Sequence, residues 1–414
     1  MHKKDIRDLA ILGGPVAFPG RIHVGRPNIG DRRMLQERID DILDRCWLTN
    51  AGRYVKEFEA KTAALLGVKH CVAMCNCTVA LEIAIRALDL TGEVIVPSFT
   101  FVATPNSLFW QGIQPIFCDI DPATHNIDPA CIERMITPRT TGIIGVHLWG
   151  RPCNVEALTE IARRRGLKLL FDSAHAFGCS CKGRMIGGFG DAEIFSFHAT
   201  KFVNAMEGGV VATNDSDMAE KMRYMKNFGF ADYDRTDHIG INGKMNEMSA
   251  AMGLTNIEAM PGFAAVNFQN YLQYRRELAD IPGISIITYD EKEQCNFQYI
   301  IIEIDEVIAG VSRDTLVQVL HAEGVLARRY FYPGCHRMEP YRSHFPNVGL
   351  VLPETERLSE RVLCLPTGTA VQKEAISAIT DIIRVAVSYG RDLNSRIPPS
   401  PKMVAAQRSE WKKS

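Results

Sequence analysis

Residues 169–175 read Leu169-Leu170-Phe171-Asp172-Ser173-Ala174-His175, an apolar run that ends abruptly in a carboxylate. Residues 194–201 read Ile194-Phe195-Ser196-Phe197-His198-Ala199-Thr200-Lys201, a second such run that passes into a polar turn and ends in lysine. Short apolar runs bounded by polar turns describe buried strands. Two of them would thus carry Asp172 and Lys201 toward strand ends, with His175 in the loop beyond.

The surrounding pattern repeats this punctuation. Strands are predicted at 93–96, 114–119, 141–148, 167–171, 194–197 and 209–213. Helices are predicted at 104–111, from about 128, at 154–165 with Asn154 as N-cap, and at 216–226. Strands alternating with helices of this length need crossover connections, which implies an α/β fold with a mainly parallel sheet between helices. After about residue 260 the pattern changes to helices at 260–280 and 313–323 around a strand at 298–304, a smaller C-terminal α+β domain. The chain thus divides into an N-terminal arm (1–30), a large domain (31–259), a small domain (260–394) and a Pro-, Ser- and Lys-rich tail (395–414) expected to be mobile.

The 414 residues can bury two cores, and a net charge of -1 gives no bias toward nucleic acid or an anionic membrane. No run is long enough and apolar enough to span a bilayer, and residues 1–10 lack the apolar stretch of a signal peptide. The 12 cysteines show no paired C-x-x-C spacing, so they read as reduced, packed thiols rather than a metal site. The cytoplasm is the expected location.

A third stretch, Cys75-Asn76-Cys77-Thr78-Val79-Ala80-Leu81, reads as a polar turn opening a helix. Singly, each of these features has a bland explanation: a turn aspartate, a surface lysine, a structural histidine, an N-cap. Together they supply what pyridoxal 5'-phosphate (PLP) requires, at the sheet edge where α/β proteins bind ligands. The cofactor's aldehyde needs an amine, and a desolvated lysine is nucleophilic. Its pyridine nitrogen needs a buried carboxylate, a role for Asp172. Its phosphate needs a helix N-terminus and hydroxyls, which Cys77, Thr78 and Ser196 can provide. Phe101, in Pro97-Ser98-Phe99-Thr100-Phe101, can cover the ring.

The run from Phe171 to Gly178 followed by Ser196 to Lys201, with Lys201 twenty-nine positions after Asp172, resembles the signature of the DegT/DnrJ/StrS sugar aminotransferases. The likeness extends from Trp47-Leu48-Thr49-Asn50 to Thr369. The resemblance implies an aspartate-aminotransferase-like fold (PLP fold type I) and a homodimer with shared active sites. Lys201 would then carry the cofactor, Asp172 face the pyridine nitrogen, His175 lie near the ring hydroxyl, and Phe101 stack on the ring. Ser196, Thr78 and the Cys77 backbone would hold the phosphate, with Asn242 reaching it from the neighbouring subunit. Three positions depart from the family pattern: Cys77 stands in place of glycine, Lys244 in place of arginine and Ala199 in place of proline. One branch of the family has histidine instead of the lysine and dehydrates sugars; Lys201 points to amino transfer.

The same resemblance implies L-glutamate as donor and a dTDP-linked keto sugar as acceptor. C4 of dTDP-4-keto-6-deoxy-D-glucose is the expected position, with C3 of a related sugar as the competitor. Thr49, Asn50, Lys244 and His336 are the candidates for contacting the sugar nucleotide. A nicotinamide dehydrogenase would need G-x-G-x-x-G between a strand and a helix; Gly187-Gly188-Phe189-Gly190 lacks the spacing and precedes a strand. A non-catalytic regulatory protein on the same fold is opposed only by the intact set of Lys201, Asp172 and His175.

Overall fold

The computed structural model describes residues 3–397. Seven strands form the central sheet: β1 (His70–Met74), β2 (Glu93–Pro97), β3 (Gln114–Cys118), β4 (Thr140–Val146), β5 (Lys168–Asp172), β6 (Ala192–Ser196) and β7 (Gly209–Thr213). Their order across the sheet is β1-β7-β6-β5-β4-β2-β3. Every pairing is parallel except those of β7, which runs antiparallel to both β1 and β6. The sheet is therefore mainly parallel, as expected. Its strands are buried almost end to end because helices cover both faces.

Those helices are α1 (Arg32–Asp44), α2 (Arg53–Leu66), α3 (Cys77–Ala87), α4 (Ala103–Phe109), α5 (Val155–Arg165), α6 (Ser216–Met225) and α7 (Glu247–Leu278). Asn154 caps α5, its side chain accepting from Ala157 N–H at 3.1 Å. Helix α7 begins well before the expected residue 260 and runs straight through Pro261. A proline inside a helix costs about 3 kcal/mol. Burial of Ala250, Leu254 and Ile257 before it, and of Phe263, Tyr271 and Tyr274 after it, outweighs that cost; each such large side chain contributes about 1.5–3 kcal/mol.

The C-terminal unit centres on an antiparallel sheet of β8 (Ile284–Ile286), β9 (Ile300–Ile304) and β10 (Val362–Leu365), covered by α8 (Arg313–Ala322) and α9 (Lys373–Ser388). The N-terminal arm belongs with it. Ile6 and Leu9 enter its core, and Ile22–His23 pairs in parallel with Val325–Leu326. Lys3 and Glu323 form a fully buried ion pair at 3.1 Å, and Glu323 also accepts from the N–H groups of Ala10 and Ala17. Ser395 and Arg396 still lie in the helix Gly390–Arg396, and residues 398–414 of the expected tail fall outside the described residues.

One close approach closes the sheet edge. A Cβ on Gly209, the first residue of β7, would stand 2.3 Å from the carbonyl oxygen of Asn76 and 2.7 Å from the nitrogen of Cys77. Glycine is needed here for space rather than for its torsional freedom. Gly209→Ala should cost about 1–3 kcal/mol of stability, as overpacking does, read as a lower urea midpoint at unchanged slope. An alanine variant as stable as the parent would show that the strand does not press on the turn.

Candidate active site

The ends of β5 and β6 place Asp172 and Ser196 at one edge of the sheet, where β1 also runs into the turn before α3. Asp172 is buried. Thr104 Oγ1 donates to its Oδ2 at 2.7 Å, and Ala174 N–H donates to its Oδ1 at 3.1 Å. Burial pushes the Asp172 carboxyl up, while these two donors, Lys201 and His147 pull it back without cancelling the effect.

Lys201 follows β6 in a turn closed by its own N–H to the carbonyl of His198 at 2.9 Å. Its Nζ donates to no protein group among the described residues. Desolvation holds this amine below the ordinary lysine value, although Cys77 and Asp172 both act to raise it. The turn is braced from outside. Gln298 Nε2 donates to Thr200 O at 2.8 Å, and Asn28 Nδ2 donates to Phe202 O at 3.1 Å.

The turn before α3 has the geometry of an anion cradle. Asn76 Oδ1 accepts from Val79 N–H at 2.9 Å and caps the helix, leaving Cys77 and Thr78 as its first two residues. Cys77 has no positive φ, so the glycine usual there is not required by the backbone. Burial pushes its thiol up, with Lys201 and Ser196 pulling against it.

His175 is buried against three aromatic rings. It stacks on Trp149 at 5.7 Å and 21°, lies 4.3 Å from the ring centre of Tyr299, and faces Phe331 at 6.0 Å. Its Nδ1 accepts from Trp149 N–H at 3.3 Å. Burial, with Lys201 nearby, holds the imidazole well below its usual range and so neutral. Phe101 stands beside this group, 58% exposed, its ring 6.5 Å from Phe331.

The outer candidates divide. Thr49 and Asn50 are exposed in a turn where Asn50 and Ala51 have φ of 62° and 54°. Asn242 is exposed on the segment whose Gly243 O accepts from Cys75 N–H at 2.8 Å, beside the cradle of its own chain. Lys244 donates to Asn227 Oδ1 at 2.8 Å and lies 4.7 Å over the Phe228 ring, and desolvation lowers its amine. His336 is buried, with Nδ1 bonded to Ser98 Oγ and Nε2 to Glu356 Oε1, both at 2.7 Å, so both ring nitrogens are engaged within the chain. Sequence reasoning missed Thr104, Trp149, Tyr299 and Phe331. Of these, only Trp149, just past the end of β4, had a position that could have been read in advance.

A mainly parallel sheet that brings a desolvated lysine, a buried carboxylate and a capped helix to one edge defines an aspartate-aminotransferase-like protein, PLP fold type I. The chain belongs to the DegT/DnrJ/EryC1/StrS aminotransferase family, whose model matches residues 30–384. A dTDP-4-amino-4,6-dideoxy-D-glucose transaminase of Shigella dysenteriae is 38% identical over 367 residues, 88% of this chain and 98% of that one. The GDP-perosamine synthase of Caulobacter vibrioides is 34% identical, with 78% and 87% covered. The crystal structure of DesI in the presence of its TDP-sugar product is 50% identical with a TM-score of 0.90, covering 94% of this chain and 99% of that one. Among the described residues no helix is long and apolar enough to cross a membrane.

Thr104→Val removes one of two donors that favour the charged form of Asp172. With selectively ¹³C-labelled aspartate, the Asp172 carboxyl should titrate at higher pH in the variant than in the parent, because a hydrogen bond to its charged form is lost. An unchanged titration would show that Thr104 does not tune the carboxyl.

Proposed function

We propose that the chain transfers the amino group of L-glutamate to C4 of dTDP-4-keto-6-deoxy-D-glucose, giving the dTDP-linked 4-amino sugar. The observation that carries this reading is the likeness along nearly the whole chain to DesI, a protein crystallised with a TDP-sugar product, joined to an intact Lys201 and Asp172. The Shigella dysenteriae relative, a transaminase named for the 4-amino sugar, supports the same carbon.

The donor set fits PLP. A lysine amine with no protein hydrogen-bond partner among the described residues, a buried carboxylate kept in place by two hydrogen bonds and a capped helix N-terminus converge on one edge. When bound, this cofactor supplies an aldehyde that takes up the amino group and a ring that withdraws electrons from the carbon being deprotonated. Asp172 would hold the ring nitrogen's proton, and His175 would stand on the side of the ring hydroxyl. Phe101 would cover the exposed face. Ser196, Thr78 and the backbone at Cys77 would hold the phosphate.

Lys201 is the group that moves protons. Its Nζ takes the proton from the α-carbon of glutamate in the first half-reaction, and returns a proton to C4 of the sugar in the second. Desolvation lowers the amine's pKa and so enlarges the unprotonated fraction that can act as base. Thr49, Asn50 and Lys244 are proposed to contact the sugar nucleotide. The partner's Asn242 completes the phosphate site, so the working unit is a homodimer with shared sites. The cytoplasm is the proposed location.

Incubation of the holoenzyme with L-glutamate and dTDP-4-keto-6-deoxy-D-glucose should yield 2-oxoglutarate and a sugar bearing nitrogen at C4 by NMR. Nitrogen at C3, or turnover only with another keto sugar, would overturn the substrate assignment. Lys201→Arg keeps a positive charge that cannot be lost, and should reduce turnover by at least about 10³-fold, the scale of general acid–base catalysis. For the parent enzyme, kcat should rise with pH through the lowered Lys201 value and level off below the ordinary lysine range; a rate still rising at that range would show that Lys201 is not depressed.

A further inference from the structure

A continuous line of hydrogen bonds joins the small domain to His175. Glu303, on β9, lies 3.0 Å from His125 Nε2. His125 Nδ1 lies 3.2 Å from the indole Nε1 of Trp149, and the backbone N–H of Trp149 reaches His175 Nδ1 at 3.3 Å. The direction of each bond follows from chemistry. An indole N–H can only donate, so His125 Nδ1 must accept and Nε2 must carry the proton it gives to Glu303. A backbone N–H can only donate, so His175 Nδ1 must accept as well. His175 is then left with Nε2–H as the one donor it can present.

Trp149 is the joint of this line. It is fully buried and takes φ 62°, a left-handed conformation that costs a residue with a side chain. Such a conformation persists where its surroundings over-determine it. Here the indole is held at its edge by His125 and on its faces by Phe331, stacked at 5.3 Å and 10°, and by His175. His125, itself at φ 63°, is enclosed, and Glu303 opposite it is half-buried near Arg357 and Arg361.

We propose that Glu303, His125 and Trp149 are positioning residues that set the tautomer of His175, so that its Nε2–H faces the cofactor oxygen. This rests on the aminotransferase reading, in which His175 stands beside the ring hydroxyl. Glu303 keeps His125 in the tautomer that accepts from the indole; the indole keeps Trp149 in its left-handed turn; that turn aims the backbone N–H at His175. The small domain thereby controls which nitrogen of a large-domain histidine bears the proton.

The test is ¹⁵N NMR of the histidine-labelled protein without added PLP, with His125 and His175 assigned by His125→Gln and His175→Gln. Both rings should show an unprotonated Nδ1 and a protonated Nε2. Trp149→Phe and Glu303→Leu should return His125 to a mixture of tautomers and broaden or shift His175. In the holoenzyme both should lower kcat about tenfold, the loss of roughly one hydrogen bond, with KM for L-glutamate little changed. Glu303→Gln keeps an oxygen acceptor and should restore most of kcat. A protonated Nδ1 on His175 in the parent protein, or variants with parental ring signals and parental kcat, would overturn the proposal. So would Glu303→Gln behaving like Glu303→Leu. If the parent protein fails to transaminate at all, the functional reading falls while the ring signals still decide the tautomer.

Discussion

A carboxylate buried at the end of a strand is the constraint around which this molecule is organised. Desolvating Asp172 costs several kcal/mol unless donors meet it, and two donors arrive from different parts of the chain. Thr104 comes from α4, after β2, and Ala174 comes from the turn that ends β5. The strand order β6-β5-β4-β2 puts β5 between β6, which leads to Lys201, and β4, which leads to Trp149. The position of Asp172 therefore sets where the lysine, the histidine and the aromatic wall must stand.

A second buried acid supports the first. Glu193, on β6, is fully buried and accepts from Ser173 Oγ at 2.7 Å and from the N–H groups of Gly187 and Phe189 at 2.7 and 2.8 Å. The glycine run rejected above as a dinucleotide motif thus has a structural use. Gly190, at φ 60°, passes so close to Leu169 that a Cβ would meet its carbonyl oxygen at 2.5 Å. Ser173 is tied down on the far side of the turn that carries Asp172 and His175.

Six of the seven strands of the sheet were legible in the sequence because they are buried on both faces and read as unbroken apolar runs; His70–Met74 was not anticipated. Gly209–Thr213 falls where it was expected, and the other anticipated strands shift by one or two residues at one or both ends. The helix expected from residue 260 begins instead at Glu247, because tertiary burial carries α7 through Pro261. Asp172, Ser196 and the turn at Cys77 were readable because each sits at the end of a periodic segment. Thr104, Tyr299 and Phe331 were not, since nothing local distinguishes a hydroxyl or ring that is functional only through a neighbour distant in sequence. The partners of His336 were equally hidden, since Ser98 lies far from it in sequence and nothing local marks the pairing.

The proposed function requires Lys201 to be the residue that carries the cofactor. Reduction of the PLP-loaded protein with borohydride, followed by digestion and mass spectrometry, places the attachment directly. The phosphopyridoxyl group should appear on the peptide containing Lys201, at one per chain. Attachment to another lysine, or none above the level of surface labelling, would contradict the account.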